Sequence, residues 1–582
     1  MFSKVFGLLG SKNKKYFFLI ILMNFFGVIL EAIGIGSVLP VILAITEVDI
    51  YEKYEKFNFI FELIDYPERK ILILYSVIFL VSVFLTKNFF LIIFTIVNNK
   101  FIYGISKELT NSLFERYLNY NYHEFIKQNI GKLMRNILNE INQFTVGILM
   151  PIITLITEIT LFFVFFYILI SYEPKGTIII FIFLSIIFLL IYLPVKKKLK
   201  IWGEKRQKNE GFKIDTLNQG LHGFKDIKIF NIEKIFSKKF EEYNSNSIYF
   251  TRNQVILQQL PKYFFEIFAI LSISFLLFFF IKNDTEFAKI TGTLGLYAAS
   301  IFRLMPSFNR ILGSLQSLRF ANTVLKNLYN VFSETEKNNV LAKDKVYNSK
   351  IKNFSFNKSV EFKNIEFGYD EKKIFNNLNL RIKKNQFIGL LGDSGSGKST
   401  FVDLLSGLLI PKSGQIILDE KYDILSNEYK KNWQSLISYV PQKVTIFNES
   451  IYENITLKHY NENADDMFFD QVIKECNLKQ IINEMANKEK TIIGAGAVGL
   501  SGGQVQRIGI ARAIYRQPEI LILDEATNAL DEGNEKLIIN LLNSMREKIT
   551  IIIITHKKSL LKNCDKIIEI GKNSLNDEKT EK

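Results

Sequence analysis

The run GDSGSGKST, made of Gly392, Asp393, Ser394, Gly395, Ser396, Gly397, Lys398, Ser399 and Thr400, satisfies the spacing G-x-x-x-x-G-K-[ST]. Its glycines let backbone N–H groups close around a phosphate, and a helix starting there turns its positive end towards the same anion. Lys398 is placed to reach β- and γ-phosphate oxygens, and the Ser399 hydroxyl to ligate Mg2+. Two adjacent carboxylates, Asp524 and Glu525, end the apolar run ILILDE. The first suits a Mg2+ shell, and the second suits a general base that polarises an attacking water. Another apolar run, IIIITH, ends in His556, where an imidazole could contact a γ-phosphate and hold that water. The chemistry these groups share is binding and cleavage of a nucleoside triphosphate.

Such groups need rigid strands behind them. The segments VEFKNIEF, FIGLLG, ISYVPQ, ILILDEAT and IIIITH alternate with helix-like stretches, which predicts an α/β domain with a largely parallel core over residues 359–582. A polar stretch over 336–358 reads as a linker, and residues 1–335 form a separate, oily domain. The 582 residues are 48% apolar and 23% charged, with 53 Phe and a mean hydropathy of +0.13. That mixture excludes a disordered, collagen-like or disulfide-stapled chain. Residues 1–345 hold 40 bases against 27 acids, and the remainder 33 against 31, so the positive excess lies with the oily part. It fits loops flanking a membrane better than nucleic-acid binding. Cys476 and Cys564 are the only cysteines, which points to a reducing compartment.

Six stretches, near 16–46, 71–99, 145–171, 176–195, 255–281 and 288–318, are long and apolar enough to span a bilayer. Lys4, Lys12, Lys14 and Lys15 precede the first, and Lys196, Lys197, Lys198 and Lys200 follow the fourth, which puts those ends in the cytoplasm. The loop 47–70 carries seven acids against four bases, as an outside loop would. Both termini then return to the cytoplasm. Residues 100–144 and 196–254 keep helical spacing with mixed charge, which predicts helices running on into the cytoplasm. In the outside loop, Phe57, Ile60, Phe61 and Ile64 repeat at i, i+3, i+4 and i+7, an amphipathic pattern suited to the membrane interface or to packing on the bundle.

LSGGQ, over 500–504, stands just before QRIGIARA and ILILDEATNALD. That order resembles the nucleotide-binding domain of ABC transporters over about 220 residues. The resemblance implies ATP and Mg2+ as cofactors and a multidomain membrane protein, in which a six-helix transmembrane bundle precedes an α/β P-loop ABC domain. It assigns Tyr369 to stack on adenine, and Gln442 to join γ-phosphate and Mg2+ to the membrane domain. Ser501, Gly502, Gly503 and Gln504 would cap the partner's ATP, and Asp531 would lie on the dimer seam. With six spans and one ATP domain, the chain resembles a half-transporter that homodimerises in a bacterial inner membrane with its ATP domain in the cytoplasm. Three departures stand out: Asn528 in NALD where Ser is usual, THKKS for THRLS, and Ala495 where exporters of this type generally carry Glu.

An ATP engine leaves its cargo open. Ionisable residues inside spans are costly and therefore functional candidates: Glu31, Lys87, Glu158, Lys262, Glu266, Arg303 and Arg310. Arg303 and Arg310 are seven apart and share a helical face. Lys87, Lys262, Arg303 and Arg310 could line a basic cavity for a phosphate-bearing head group, or they could pair with Glu31, Glu158 and Glu266 and stabilise the bundle. FRLMPSFNRI, the intramembrane Glu31 and the amphipathic outside segment resemble the bacterial lipid-linked oligosaccharide flippases of protein N-glycosylation. That resemblance implies a homodimer moving a polyprenyl-pyrophosphate-linked saccharide between leaflets. An exporter of lipid A-like lipids, hydrophobic drugs or peptides would share the same engine.

Overall fold

The computed structural model describes residues 1–46, 51, 59, 62, 65–172, 174–282, 287–343, 354–369, 372–426, 428–458, 466–494, 499–571 and 574–578. The amphipathic pattern at Phe57, Ile60, Phe61 and Ile64, and Ala495, lie outside the described residues. The chain divides into two compact units, one of residues 1–120 and 127–338, the other of residues 121–126 and 339–582.

In the first unit each of the six apolar stretches falls on a helix: α1 (Ser11–Gly36), α2 (Arg69–Leu118), α3 (Met150–Tyr172), α4 (Pro174–His222), α5 (Glu233–Lys282) and α6 (Phe287–Phe320). Among the described residues, Ser11–Ile42, Arg69–Leu118 and Ile130–Ser171 are long and apolar enough to cross a membrane. The 50 residues of α2 rise about 75 Å, more than twice a hydrocarbon core of about 30 Å. The extensions expected from sequence are therefore helical, with a difference. Over 119–149 the chain breaks into short helices and two π-helical turns, Asn136–Glu140 and Thr145–Leu149.

A polar core ties these extensions together. Gln207 Nε2 donates to Glu140 Oε2 at 2.7 Å, while Glu210 accepts from Ser247 Oγ at 2.8 Å, Asn139 Nδ2 at 3.0 Å and Lys213 Nζ at 2.6 Å. Buried carboxylates persist only with such partners. Close packing sets another constraint where α4 crosses the end of α6: a Cβ on Gly203 would stand 2.1 Å from the Phe320 carbonyl oxygen. The helix Asn322–Lys343 follows α6, so the first residues of the expected linker, 336–343, continue a helix.

The second unit contains β1 (Ser359–Tyr369), β2 (Lys372–Lys383), β3 (Phe387–Leu391), β4 (Ser413–Leu418), β5 (Tyr422–Asp423), β6 (Ile437–Val440), β7 (Glu449–Ser450), β8 (Ile492–Ile493), β9 (Ile520–Asp524), β10 (Thr550–Ile554), β11 (Lys566–Gly571) and β12 (Ser574–Glu578). The larger sheet runs β12-β11-β3-β10-β9-β6 and is parallel except at β12. FIGLL, ILILD and TIIII are nearly all buried, as strands covered on both faces must be. VEFKNIEF lies in a second, antiparallel sheet of order β2-β1-β4-β5. Its mixed burial is what a sheet covered chiefly on one face produces. The helix α7 (Lys398–Leu405) starts just beyond β3, and its carbonyl at Leu405 accepts from the fully buried Trp433 Nε1 at 2.6 Å. Cys476 and Cys564 are both buried free thiols, and burial pushes each up to about 12.

Candidate functional site

The carboxyl ends of parallel strands are where an α/β sheet gathers ligands. Here β3 delivers the loop 392–400, β9 delivers Asp524 and Glu525, and β10 delivers the segment that ends in His556. The loop is held in a phosphate-ready form by left-handed glycines, Gly395 at φ 79° and Gly397 at φ 110°. A side chain on Gly397 would also come within 2.7 Å of Ile374. Among the described residues the buried Ser396 Oγ has no hydrogen-bond partner. Lys398 Nζ donates to the Gly392 and Asp393 carbonyls at 2.5 and 3.0 Å, bending back over its own loop. Ser399 and Thr400 follow in the first turn of α7, whose N–H groups lack intrahelical acceptors.

Glu525 sits at φ 48°, a strained position for a non-glycine residue. Its N–H is pinned to the Ile554 carbonyl of β10 at 2.9 Å. Its Oε2 accepts from Gln442 Nε2 at 2.6 Å and from Asn528 Nδ2 at 3.0 Å, and His556 Nε2 stands 3.8 Å from Oε1. Gln442, Glu525 and His556 are thus brought together as their strand-end positions required. The adjacent Asp524 accepts from the Tyr439 hydroxyl at 3.0 Å. Burial pushes the Asp524 carboxyl up and Glu525 adds to it, while the Tyr439 hydrogen bond opposes both. Asp403, on α7, is pushed up to about 6 by burial and by Asp524.

Ser501 and Gln504 form a capping box on the helix Gly502–Tyr515. Ser501 N–H donates to Gln504 Oε1 at 2.8 Å, and Gln504 N–H to Ser501 Oγ at 3.3 Å. Gly502 and Gly503 lie against Ala529 of the NALD turn. Asp531 caps the next helix, Glu532–Met545, and its hydrogen bonds from Asn534 hold its carboxyl below the usual range. Among the described residues no hydrogen bond joins 501–504 to the loop 392–400. The turn 501–504 and the loop 392–400 of this one chain are thus not joined by hydrogen bonds.

Both halves also match known families. The model described as ABC transporter matches residues 375–528, and the ABC transporter transmembrane region matches residues 15–286. The chain is an ABC exporter half-transporter. It is 29% identical over 81% of its length to a leukotoxin translocation ATP-binding protein of Mannheimia glucosida, of which it spans 65%. It is 28% identical to an ATP-dependent lipid A-core flippase of Francisella novicida, over 81% of this chain and 77% of that protein. A solved bacterial Atm1-family ABC exporter with ATP bound shares the fold at a TM-score of 0.76 and 17% identity, covering 97% of this chain and 96% of that one. The half-transporter is embedded in a membrane and couples ATP hydrolysis to transport.

In its membrane helices the charges settle differently from those at the ATP site. Arg310 Nε binds Glu158 Oε1, joining α6 to α3, and Glu158 is buried. Lys262 and Glu266 stand 3.8 Å apart on the exposed side of α5. Lys87 lies over the Phe84 ring at 4.2 Å and packs on Gly34 of α1. Glu31 is on α1, and the Arg303 side chain lies outside the described part. Near the ATP site, sequence reasoning missed Tyr439, Asp403 and the role of Asn528 in holding Glu525. Position alone offered a hint, since Tyr439 precedes VPQ and Asp403 falls one turn after Ser399. It also missed His123, which stacks on Tyr369 at 6.1 Å between ring centroids and 15° between planes. Nothing in the sequence pattern marked that contact.

Proposed function

We propose that two copies of this half-transporter form a homodimer that flips a polyprenyl-pyrophosphate-linked oligosaccharide from the cytoplasmic to the outer leaflet of a bacterial inner membrane. The observation that carries the cargo reading is the presence of cations, Lys87 and Arg303, on helices otherwise built for lipid, with Lys262 and Arg310 beside them although each already stands near an acid, Glu266 and Glu158. An anionic lipid head group gives such groups a partner in a low-dielectric cavity. The flippase relative supports a lipid cargo, and the translocation relative keeps export of a peptide or another amphiphile as the competing reading.

In the ATP domain, Gly392, Asp393, Ser394, Gly395, Ser396, Gly397, Lys398, Ser399 and Thr400 cradle the phosphates and Tyr369 stacks on the adenine. Ser501, Gly502, Gly503, Gln504 and Asp531 of the second copy complete each pocket. Separation of the two turns within one chain supports this sharing. Ser399, Asp524 and Gln442 would hold Mg2+, and their oxygen donors suit a hard cation. The Gln442 amide nitrogen is engaged by Glu525, leaving the amide oxygen to face a metal. When bound, Mg2+ neutralises developing charge on the β- and γ-phosphate oxygens. Glu525 takes a proton from the attacking water, held in place by Gln442 and Asn528, and His556 orients the γ-phosphate. Closure on ATP and reopening after hydrolysis drive the alternation of the membrane helices.

Reconstitution tests this reading. Proteoliposomes loaded with a fluorescent lipid-pyrophosphate saccharide should lose inner-leaflet label in the presence of ATP. Robust ATP turnover without such loss rejects the cargo assignment.

A further inference from the structure

Beyond the residues that a nucleotide or metal would touch, one side chain is tied to the metal-facing acid by register. In the larger sheet β6 runs parallel to β9, with Tyr439 opposite Ile522 and Val440 opposite Leu523. Side chains alternate along a strand, so Tyr439, Ile522 and Asp524 share one face. Ile522 belongs to the same buried cluster as Phe401 and Leu405 of α7, so this face lies on the α7 side of the sheet. There the Tyr439 hydroxyl donates to Asp524 Oδ2 at 3.0 Å. A carboxylate accepts only, and of these two groups the phenol is the one with a proton to give.

The neighbourhood explains why a donor is needed. Burial pushes up the Asp403 carboxyl on α7, and Asp524 stands close enough to add to that by charge repulsion. Left without a donor, Asp524 would be free to turn away from this repulsion and from the position that Ser399 and Gln442 require. Tyr122, in the short helix Tyr122–Ile126, reaches the same cluster and feels Asp403 and Tyr369. It makes no hydrogen bond to Asp524 among the described residues.

We propose that Tyr439 is a positioning residue that orients the Asp524 carboxylate for the nucleotide-bound divalent cation. It acts through Asp524 and never touches the substrate, as outer-sphere partners of metal ligands do. The inference rests on the reading of Asp524 as part of the Mg2+ shell, and the test separates the two.

Mn2+ is titrated against the full-length protein in detergent with a non-hydrolysable ATP analogue, and free Mn2+ is followed by electron paramagnetic resonance. Tyr439→Phe removes only the donor. It should weaken Mn2+ binding about tenfold, the lower end of what outer-shell changes cost. Binding of the analogue in EDTA and the melting temperature should stay at wild-type values, and Tyr122→Phe should leave Mn2+ binding unchanged. Asp524→Asn must weaken Mn2+ binding for the underlying reading to stand. If Asp524→Asn weakens it and Tyr439→Phe does not, the positioning role is wrong. If neither does, the metal reading of Asp524 itself fails. A fall in melting temperature with unchanged Mn2+ affinity would make Tyr439 a structural residue only, and equal weakening by Tyr122→Phe would overturn the specific role.

Discussion

The two halves of the chain handle charge in opposite ways. In the ATP domain a single carboxylate, Glu525, receives two side-chain amide donors from separate segments and keeps a histidine 3.8 Å away. In the membrane helices Glu158 is consumed by Arg310 on another helix. Neutral donors hold a carboxylate in place without discharging it, so it stays able to accept a proton. A cation neutralises the acid, which suits a place where lipid would make a lone charge expensive. The difference therefore separates a carboxylate held by neutral donors from one neutralised within the bundle, and it predicts different kinds of damage.

The largest effect is expected at Glu525. Glu525→Gln keeps shape and polarity but removes the base, so hydrolysis should slow about 10²- to 10⁴-fold. ATP binding and melting temperature should change little. Phosphate release and equilibrium binding of a fluorescent nucleotide measure the two sides. A variant that hydrolyses at near wild-type rate takes Glu525 out of the role, and one that fails to bind ATP makes it structural.

Removing Arg310 should do the reverse. Arg310→Ala strands the buried Glu158 and should destabilise the membrane unit by about 1–3 kcal/mol, the cost of leaving a buried acceptor without its donor, since the Arg310 side chain is itself partly exposed. Replacing both partners, Arg310→Met with Glu158→Met, should recover most of that loss, because no uncompensated charge remains. Thermal unfolding in detergent reads both. If the double variant is stable and still transports, the pair serves structure. If it is stable and transport alone is lost while basal ATP turnover persists, Arg310 belongs to the cargo path and the contrast between the halves narrows.

How far these features could be read in advance follows the same division. The phosphate loop is contiguous, and Glu525, Gln442 and His556 all sit just past apolar strands, so a parallel sheet had to bring them to one edge. Six helices were equally legible, because lipid imposes length and apolarity on each span. The Arg310–Glu158 partnership was not, since it joins residues 152 apart in sequence and depends on which helices become neighbours. Tyr439 escaped for a related reason: its link to Asp524 is fixed by strand register, which a single strand does not reveal. The linker expectation over 336–358 missed that the helix Asn322–Lys343 runs into it. Polar composition alone does not end a helix that has no proline or glycine to stop it.

The smallest effect tests whether the ATP site bears a cost for its crowded acids. Asp403 has a folded-state value of about 6 against an ordinary 3.8, so the folded domain binds its proton more tightly than the unfolded chain does. Stability from this group is then lost as pH rises from about 3.8 to about 6, and the loss is complete above that window. Asp403→Asn abolishes the ionisation. Without nucleotide or metal, the variant should melt higher than the wild type at pH 7.5, by about 1 kcal/mol once solvent screening of this partly exposed group is allowed for. The gain should shrink steadily towards pH 5. A gain that is constant with pH would trace to the amide's own contacts. No gain at any pH would mean that neither burial nor the Asp524 charge raises the Asp403 carboxyl, and the ATP site would then carry no such cost.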